Sequence, residues 1–102
     1  MNKDETFLTV VGAKLYLGMQ IFKKGSEFYL VKELDNEYDD EAICVKTKDA
    51  IQVGYIANSI HTVAKGTKSA GRIYDAIKDH QKVVVRFVVD SKVIVEVVED
   101  AK

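Results

Sequence analysis

The sequence has a single cysteine, no proline and no tryptophan among its 102 residues. Because Cys44 is alone, no disulfide can form within the chain. No apolar run approaches the roughly 18 residues that a transmembrane helix needs, so we expect no membrane partner. The N-terminal stretch MNKDETF is charged and lacks the long apolar segment of a signal peptide. We therefore expect a cytoplasmic protein.

Positive and negative charges nearly cancel overall but are unevenly placed along the chain. The formal net charge is −1, which argues against a protein that coats nucleic acid or membranes through bulk charge. Residues 46–92 nevertheless carry nine basic and four acidic side chains, whereas residues 1–45 carry five basic and nine acidic ones. A local basic site in the middle of the chain therefore remains possible. With 47% apolar residues, the chain is expected to fold as one domain with one core.

Alternating apolar residues and turn signals predict a mainly β protein with two helices, an α+β fold. The expected strands are 6–12, 27–33, 42–47, 51–57, 83–89 and 92–98, with 19–22 as a weaker candidate and Asp90-Ser91 as a hairpin turn. One helix is expected from Asn58 or Ser59 to Gly66, and a second after Ser69 that buries Ile73, Tyr74 and Ile77. This order predicts a six-stranded barrel or curled sheet with a helical insertion before the last two strands. Those two strands are apolar on both faces, so we expect the helix pair or a partner chain to cover one face.

The stretch ELDNEYDDEAICVKT, residues 33–47, places six carboxylates within nine residues. It does not fit a calcium-binding EF-hand loop, because the sixth and twelfth positions counted from Asp35 are Asp40 and Lys46. A catalytic carboxylate pair needs an apolar pocket, which a polar turn does not suggest. The residues alone therefore favour a solvated turn closed by Asn36 and Asp39, with no metal site.

The stretch KGTKSAGR, residues 65–72, has the glycine spacing of a phosphate-binding P-loop. Arg72 and Ile73 stand where that motif needs Lys and Ser or Thr, so we do not predict nucleotide hydrolysis. The alternatives are a plain connection between two helices or an anion contact. In the second case, Lys65, Lys68 and Arg72 would hold a phosphate together with amides at a helix N-terminus.

No complete catalytic arrangement is visible in the sequence. His61 and His80 are too far apart to form a short ligand motif, and Cys44 lies within a strand pattern. We therefore predict a protein that is not an enzyme and has no cofactor. Exposed tyrosines beside basic residues can stack on bases, although packing in the core or at its rim is the simpler explanation for any one of them. The candidates are Tyr16, Tyr38 and Tyr55.

Three motifs together resemble the HIRAN domain family. They are a G-x-x-x-Y-x-G pattern (Gly12, Tyr16, Gly18), the segment LVKELDNEYDDEAICV and the segment VGYI. The resemblance covers roughly residues 7–98 and implies a single HIRAN-like domain over residues 1–102, built as an OB-like barrel. The segment NSIHTVAKGTKSAGRIYD is similar to small stand-alone prokaryotic members.

The resemblance implies a DNA-binding module that holds the 3′ end of a single strand in DNA repair. Asp39 matches an aspartate that contacts the terminal hydroxyl, and Tyr38 matches the tyrosine beside it. Lys14 and Tyr16 match a basic and an aromatic position, and Tyr55 falls where a histidine occurs. Leu15 and Asn58 depart from the pattern, since they replace a base-stacking tyrosine and a phosphate-binding lysine. Loss of one stacked base predicts weaker binding, by about 1–3 kcal/mol.

Two functional hypotheses follow from these sequence features. The first is a DNA-binding module, with Asn58, Lys65, Lys68 and Arg72 near the phosphates and a helicase or nuclease as a partner. The second is a protein-interaction or self-associating module built on the same barrel. The second hypothesis rests on the apolar strands at residues 83–98.

Overall fold

Six antiparallel strands form the framework of the protein in a computed structural model that describes residues 5–89 and 92–99. Their bounds agree with the predicted strands to within two residues. The strands are β1 (Phe7–Val11), β2 (Glu27–Lys32), β3 (Ile43–Lys46), β4 (Gln52–Ile56), β5 (Gln81–Val89) and β6 (Lys92–Val97). The predicted turn at Asp90-Ser91 lies outside the described residues.

The strands close into a barrel in the order β1-β4-β3-β2-β5-β6. β1 closes it by pairing with both β4 and β6, in registers that place Val10 opposite Ile56 and opposite Val93. Closure satisfies backbone groups that an open sheet would leave at its edges. The prediction of a mainly β, six-stranded barrel is confirmed, and its shape is consistent with an OB-like fold.

The interior of the barrel is filled by every second residue of the strands, as the alternation predicted. In β2, for example, Phe28 and Leu30 are buried. Val83 and Val85 of β5 and Val93 and Val95 of β6 are fully buried. Ile73 and Ile77 also join this core, and Tyr74 packs against it, as expected from the sequence.

The prediction of two helices is wrong. The described residues contain one short helix, α1 (Ala70–Ile73), with Ser69 as its N-cap. The predicted helix at residues 58–66 is replaced by turns, and the weak strand candidate at 19–22 is a 3₁₀ turn, Met19–Ile21. A further 3₁₀ turn, Ala13–Leu15, follows Gly12, whose φ of 80° ends β1.

A buried threonine explains why residues 58–66 do not form a helix. The Thr9 hydroxyl accepts a hydrogen bond from the Ala64 amide at 3.1 Å and lies 2.8 Å from the Thr67 hydroxyl. The Thr9 carbonyl also accepts from the Ala57 amide. These bonds to β1 draw the segment against the barrel, and tertiary contacts of this kind override helix propensity.

Gly54 allows β4 to approach β1 closely. A Cβ atom at this position would lie 2.9 Å from the Val11 carbonyl oxygen and 2.9 Å from a methyl group of Val10. Steric crowding therefore explains why this position of the VGYI segment is glycine, because any side chain would push two barrel strands apart.

The far end of the β5–β6 hairpin leaves apolar side chains exposed. Phe87, Val88 and Val89 are 54%, 43% and 56% exposed. The predicted cover over the outer face of these strands is thus incomplete in the single chain. No helix in the described part of the chain is long and apolar enough to cross a membrane.

Candidate functional site

Asn36 shapes the acidic turn that joins β2 to β3. Its side-chain carbonyl accepts hydrogen bonds from the Tyr38 amide at 2.8 Å and the Asp39 amide at 2.9 Å. Such local bonds are the usual reason for Asn in turns. The predicted role of Asn36 is confirmed, and its consequence is that Tyr38 and Asp39 are held side by side.

Glu33 ties this turn to β4. One of its carboxylate oxygens accepts a hydrogen bond from the Asn36 side-chain amide at 2.9 Å. Both oxygens lie 3.0 Å from the Tyr55 hydroxyl, which donates to the carboxylate. This role is not visible in the sequence, where Glu33 is one of six acids in a charged run.

The Tyr55 hydroxyl remains protonated in this environment. Its interaction with Gln52 lowers the pKa of Tyr55, but burial and the hydrogen-bonded Glu33 carboxylate together outweigh it and raise the pKa above its usual value. Tyr55 therefore serves as a hydrogen-bond donor that connects the acidic turn to the barrel wall.

The two carboxylate oxygens of Asp39 have different surroundings. Oδ1 accepts a hydrogen bond from the Glu41 amide at 2.8 Å and so stabilises the turn. Oδ2 lies 3.5 Å from the Asn58 side-chain amide, at the long limit of a hydrogen bond. Asp39 thus closes its own turn, as predicted, and keeps a second oxygen available to accept a stronger hydrogen bond.

Asp39 lines an open pocket of about 570 Å³, which we call the Asp39 pocket. Four of the nine predicted site residues line it together: Tyr38, Asp39, Tyr55 and Asn58. Among the described residues of its lining, Asp39 is the only charged one. Tyr38 is 95% exposed, so its ring is free to contact a ligand.

A second pocket, the Lys65 pocket, adjoins the first and has a volume of about 370 Å³. Asn58 lines both pockets, and Lys65 and Arg72 line the second. No carboxylate appears among the described residues that line the Lys65 pocket. The two pockets therefore place a carboxylate and two basic side chains on either side of Asn58.

The predicted anion contact through helix amides is not available. The Ala70 amide donates to the Ala57 carbonyl, the Gly71 amide to the Asn58 side chain at 2.9 Å, and the Arg72 amide to Ser69. With these donors already used, the first three amides of α1 are not left to bind an anion in the Lys65 pocket.

Gly71 lies against the side chain of Glu41. A Cβ atom here would clash with the Glu41 carboxylate, which also accepts a hydrogen bond from the Asn58 side chain at 3.2 Å. Glu41 was expected to face water without a structural role. Although exposed, it instead joins the acidic turn to α1 through Asn58.

The remaining predicted residues lie around this centre. The Tyr16 ring is 6.3 Å from the Tyr55 ring, and its hydroxyl accepts a hydrogen bond from Gln52 at 3.1 Å. Lys14 is exposed on the turn before Tyr16. Lys68 is exposed, and its amide donates to the Phe7 carbonyl. Lys14 and Lys68 line neither the Asp39 pocket nor the Lys65 pocket.

An apolar groove continues from the Lys65 pocket along the β5–β6 hairpin. This Phe87 groove has a volume of about 600 Å³ and shares Lys65, Gly66 and Thr67 with the Lys65 pocket. Its other lining residues include Phe87 and Lys92. Only tyrosines were predicted to stack on bases, and the exposed ring of Phe87 was not among them.

The described residues contain no cluster of His, Cys, Asp and Glu that could hold a metal ion. Cys44 is fully buried next to this region, where β3 pairs with β4 opposite Tyr55. Burial, followed by the negative charge of Glu33, raises the pKa of the Cys44 thiol from 9.0 to about 11. An un-ionised, buried thiol is a poor nucleophile.

A closed barrel with a carboxylate pocket beside a basic pocket defines a small binding module. The sequence profile of the HIRAN domain matches residues 3–92, and the chain belongs to the HIRAN domain family, a family of nucleic-acid-binding modules. No protein with a curated description matches the chain.

Two solved structures share the fold. The HIRAN domain of human HLTF is similar with a TM-score of 0.63 and 20% identity, over 90% of this chain and 71% of that one. A protein from Lactobacillus plantarum is similar with a TM-score of 0.58 and 22% identity, over 90% of this chain and 91% of that one. At these identities the likeness concerns the barrel and not the residues of the pockets.

Proposed function

We propose that this protein binds single-stranded DNA by its 3′ end and has no catalytic activity of its own. The observation that carries the proposal is the Asp39 pocket, in which Tyr38, Asp39, Tyr55 and Asn58 converge. Membership of the HIRAN family supports nucleic acid as the ligand class. The pocket supports the choice of a strand end.

The carboxylate of Asp39 gives a physical basis for end selection. Its free oxygen can accept a hydrogen bond from a terminal 3′-hydroxyl, and bonds to charged acceptors are stronger than neutral ones. A phosphate at the same place would meet like charge with no basic side chain among the described lining residues. Selectivity thus comes from repelling the wrong group as well as from binding the right one.

The Lys65 pocket supplies the attraction for the phosphates that precede the terminal nucleotide. Lys65 and Arg72 lie beyond Asn58, so a strand that ends at Asp39 reaches them with its backbone. Each neutralised phosphate releases counterions and makes affinity depend on salt. The strand can then continue into the Phe87 groove, where a base can stack on the exposed ring.

Asn58 has a supporting role in this proposal. Its side chain is committed to the Gly71 amide and to Glu41, so it fixes the distance between the two pockets. A lysine at this position would bring positive charge next to Asp39 and weaken the repulsion of a terminal phosphate. The departure from the family pattern at Asn58 therefore moves phosphate binding to Lys65 and Arg72.

The experiment that tests the proposal is fluorescence anisotropy with labelled single strands that end in a 3′-hydroxyl or a 3′-phosphate. We expect tighter binding of the 3′-hydroxyl strand and a decrease of both affinities with rising salt. A strand with a 5′-phosphate and a free 3′-hydroxyl is the control for added charge, and it should bind as well as the unmodified strand. Equal affinity for both 3′ ends, or no binding at low salt, would refute the proposal.

We also propose a helicase or nuclease as a partner in DNA remodelling. A second candidate function is suggested by Phe87, Val88 and Val89, whose exposure favours self-association or a protein partner. Sedimentation velocity over a wide concentration range distinguishes these cases, because a strict monomer would exclude self-association.

A further inference from the structure

A third pocket lies on the outer face of β2 and β3, and the proposed DNA site does not use it. This Tyr29 pocket has a volume of about 420 Å³, within the range of small-ligand sites. Its described lining combines two lysines, a histidine and a phenol, with no carboxylate. The lining residues are Tyr29, Val31, Lys46, Thr47, Lys48, Ala50 and His80.

The lysines of this pocket differ from the basic residues on neighbouring strands. Lys82 pairs with Glu27 at 3.4 Å, and Arg86 pairs with Glu96 at 2.7 Å. Neither Lys46 nor Lys48 forms an ion pair with a carboxylate in the described part of the chain. The charges of Lys82 and Arg86 are thus balanced by carboxylates, whereas, among the described residues, those of Lys46 and Lys48 are not.

Tyr29 stands between two lysines on the barrel surface. Its neighbours across the sheet are Lys46 on β3 and Lys82 on β5. Since Lys82 is paired with Glu27, Lys46 is the lysine beside Tyr29 that remains available to a ligand. The Tyr29 hydroxyl adds a neutral donor close to this charge.

The backbone around the pocket is unusual at two positions. Ala50 has a φ of 69° and His80 a φ of 62°, and they are the non-glycine residues with positive φ in the described structure. This left-handed conformation is unfavourable for residues with a Cβ atom. Residues held in such conformations tend to cluster at functional sites, and both of these line the same pocket.

We propose that the Tyr29 pocket binds a phosphate group, carried by a free nucleotide or by a nucleic-acid backbone. Lys46 and Lys48 supply charged donors from two adjacent segments, and the Tyr29 hydroxyl supplies a neutral one. The His80 imidazole lies 3.5 Å from the Asp79 carboxylate, which is not part of the lining. Phosphate fits this set better than a carboxylate does, because its several oxygens can accept from donors on different sides.

The Tyr29 pocket is independent of the proposed DNA-end site. It shares no described lining residue with the Asp39 pocket or the Lys65 pocket. Lys46 lies three residues along β3 from Ile43, where the acidic turn ends, which is about 10 Å at the rise of an extended strand. One site can therefore fail in experiment without the other.

The test is a titration of the isotope-labelled full chain, followed by amide chemical shifts in two-dimensional NMR spectra. The probes are inorganic phosphate, thymidine 5′-monophosphate and unphosphorylated thymidine. We expect the two phosphates to shift amides of residues 46–50 and of His80, and thymidine to leave them unchanged. Shifts of equal size with thymidine, or no shift with either phosphate, would overturn the proposal.

Charge removal provides the matched control. Lys46→Gln with Lys48→Gln is expected to weaken monophosphate binding by about fivefold or more, the scale of lost charge-assisted hydrogen bonds. Lys23→Gln with Lys24→Gln removes the same charge from exposed positions outside the pocket and should change binding less than twofold. If both pairs weaken binding equally, the effect is one of net charge and the proposal is wrong. Should the first pair disturb folding, Lys48→Gln alone, on an exposed turn, takes its place.

A final titration identifies the source of the phosphate. Single-stranded oligothymidine that shifts the pocket amides at lower concentration than the monophosphate would identify the strand backbone as the ligand. Weaker shifts with the oligonucleotide would identify a free phosphate compound. Either result retains the site, and both are measured in the Lys65→Gln, Arg72→Gln protein, in which binding at the proposed DNA site is weakened.

Discussion

The Asp39 pocket and the Lys65 pocket meet at Asn58 but are built in opposite ways. Around Asp39, nearly every polar group has a partner: Asn36 holds the turn, and Glu33 joins it to Tyr55. The Lys65 pocket has basic side chains and no carboxylate among its described lining residues. The Asp39 pocket is held in shape by internal hydrogen bonds, whereas the basic side chains of the Lys65 pocket are available to bind a ligand.

This difference separates selectivity from affinity. A rigid acceptor discriminates between a hydroxyl and a phosphate because it cannot move away from the wrong group. Unpaired basic side chains attract any phosphate backbone and discriminate little. In this protein, we expect the acidic turn to choose the strand end and the basic pocket to supply most of the binding free energy. The predictions below test the structure of the two pockets and that division.

The largest predicted effect tests whether the barrel wall beside the Asp39 pocket excludes water in solution as it does in the structure. Cys44 lies opposite Tyr55, and burial raises the pKa of its thiol from 9.0 to about 11. Between these pH values the thiol ionises in the unfolded chain but not in the folded one, so stability falls as pH rises. Over this pH range we expect the free energy of unfolding to fall by about 2 kcal/mol more than it does in Cys44→Ala, as measured by urea unfolding. Parallel pH profiles for the two proteins would mean that Cys44 is open to water.

The second prediction concerns affinity without selectivity. Lys65→Gln with Arg72→Gln should weaken binding of single strands about tenfold and lower the log–log salt slope by about 1.4, or about 0.7 per lost phosphate contact. The ratio of affinities for 3′-hydroxyl and 3′-phosphate strands should stay the same. Anisotropy over a salt series measures both quantities. A changed ratio would show that the basic pocket also reads the end.

The third prediction extends the comparison to the Phe87 groove. Phe87→Ala should weaken binding of longer strands by about 1 kcal/mol, the lower end of the range for one stacked base. A strand too short to reach the groove should be unaffected. Ile51→Ala removes a similarly exposed apolar side chain outside the groove and serves as the control. Equal losses on short and long strands would place Phe87 outside the path.

The smallest predicted effect concerns the positioning of the acidic turn. Glu33→Gln keeps the shape of the side chain but weakens its hydrogen bonds to Tyr55 and Asn36. We expect the preference for a 3′-hydroxyl end to fall about threefold, as expected for a loss of about 0.6 kcal/mol. The exposed neighbour Glu37→Gln changes charge equally and should preserve the preference. Equal effects of the two substitutions would assign the change to charge alone.

The barrel was predictable from the sequence because its signal is local. Alternation within β2, β5 and β6 reports directly which side of each strand is buried. The false helix at residues 58–66 shows where local signals end. Whether this segment forms a helix depends on the Thr9 hydroxyl, which is 55 positions before Ala64 in the chain. Nothing in the sequence around Thr9 indicates this role.

The candidate site was only partly predictable. Asn36 and Asp39 were predicted because turn chemistry is local. Tyr38 and Tyr55 were candidates as tyrosines that could stack on bases, and the family resemblance added Asn58. Glu33 and Gln52 were missed because their partners, Tyr55 and Tyr16, are brought near only by barrel closure. The separation of Lys14 and Lys68 from the two pockets could not be anticipated, since basic residues close in sequence need not share a surface.

The most direct test of the account compares Asp39→Asn with Asp40→Asn in binding to strands that end in a 3′-hydroxyl or a 3′-phosphate. Both substitutions remove one negative charge from the same turn, but Asp40 does not line the Asp39 pocket. We predict that Asp40→Asn retains a preference of about tenfold for the hydroxyl end, equivalent to about 1.4 kcal/mol, and that Asp39→Asn loses it. An unchanged preference in Asp39→Asn would contradict the assignment of end recognition to this carboxylate.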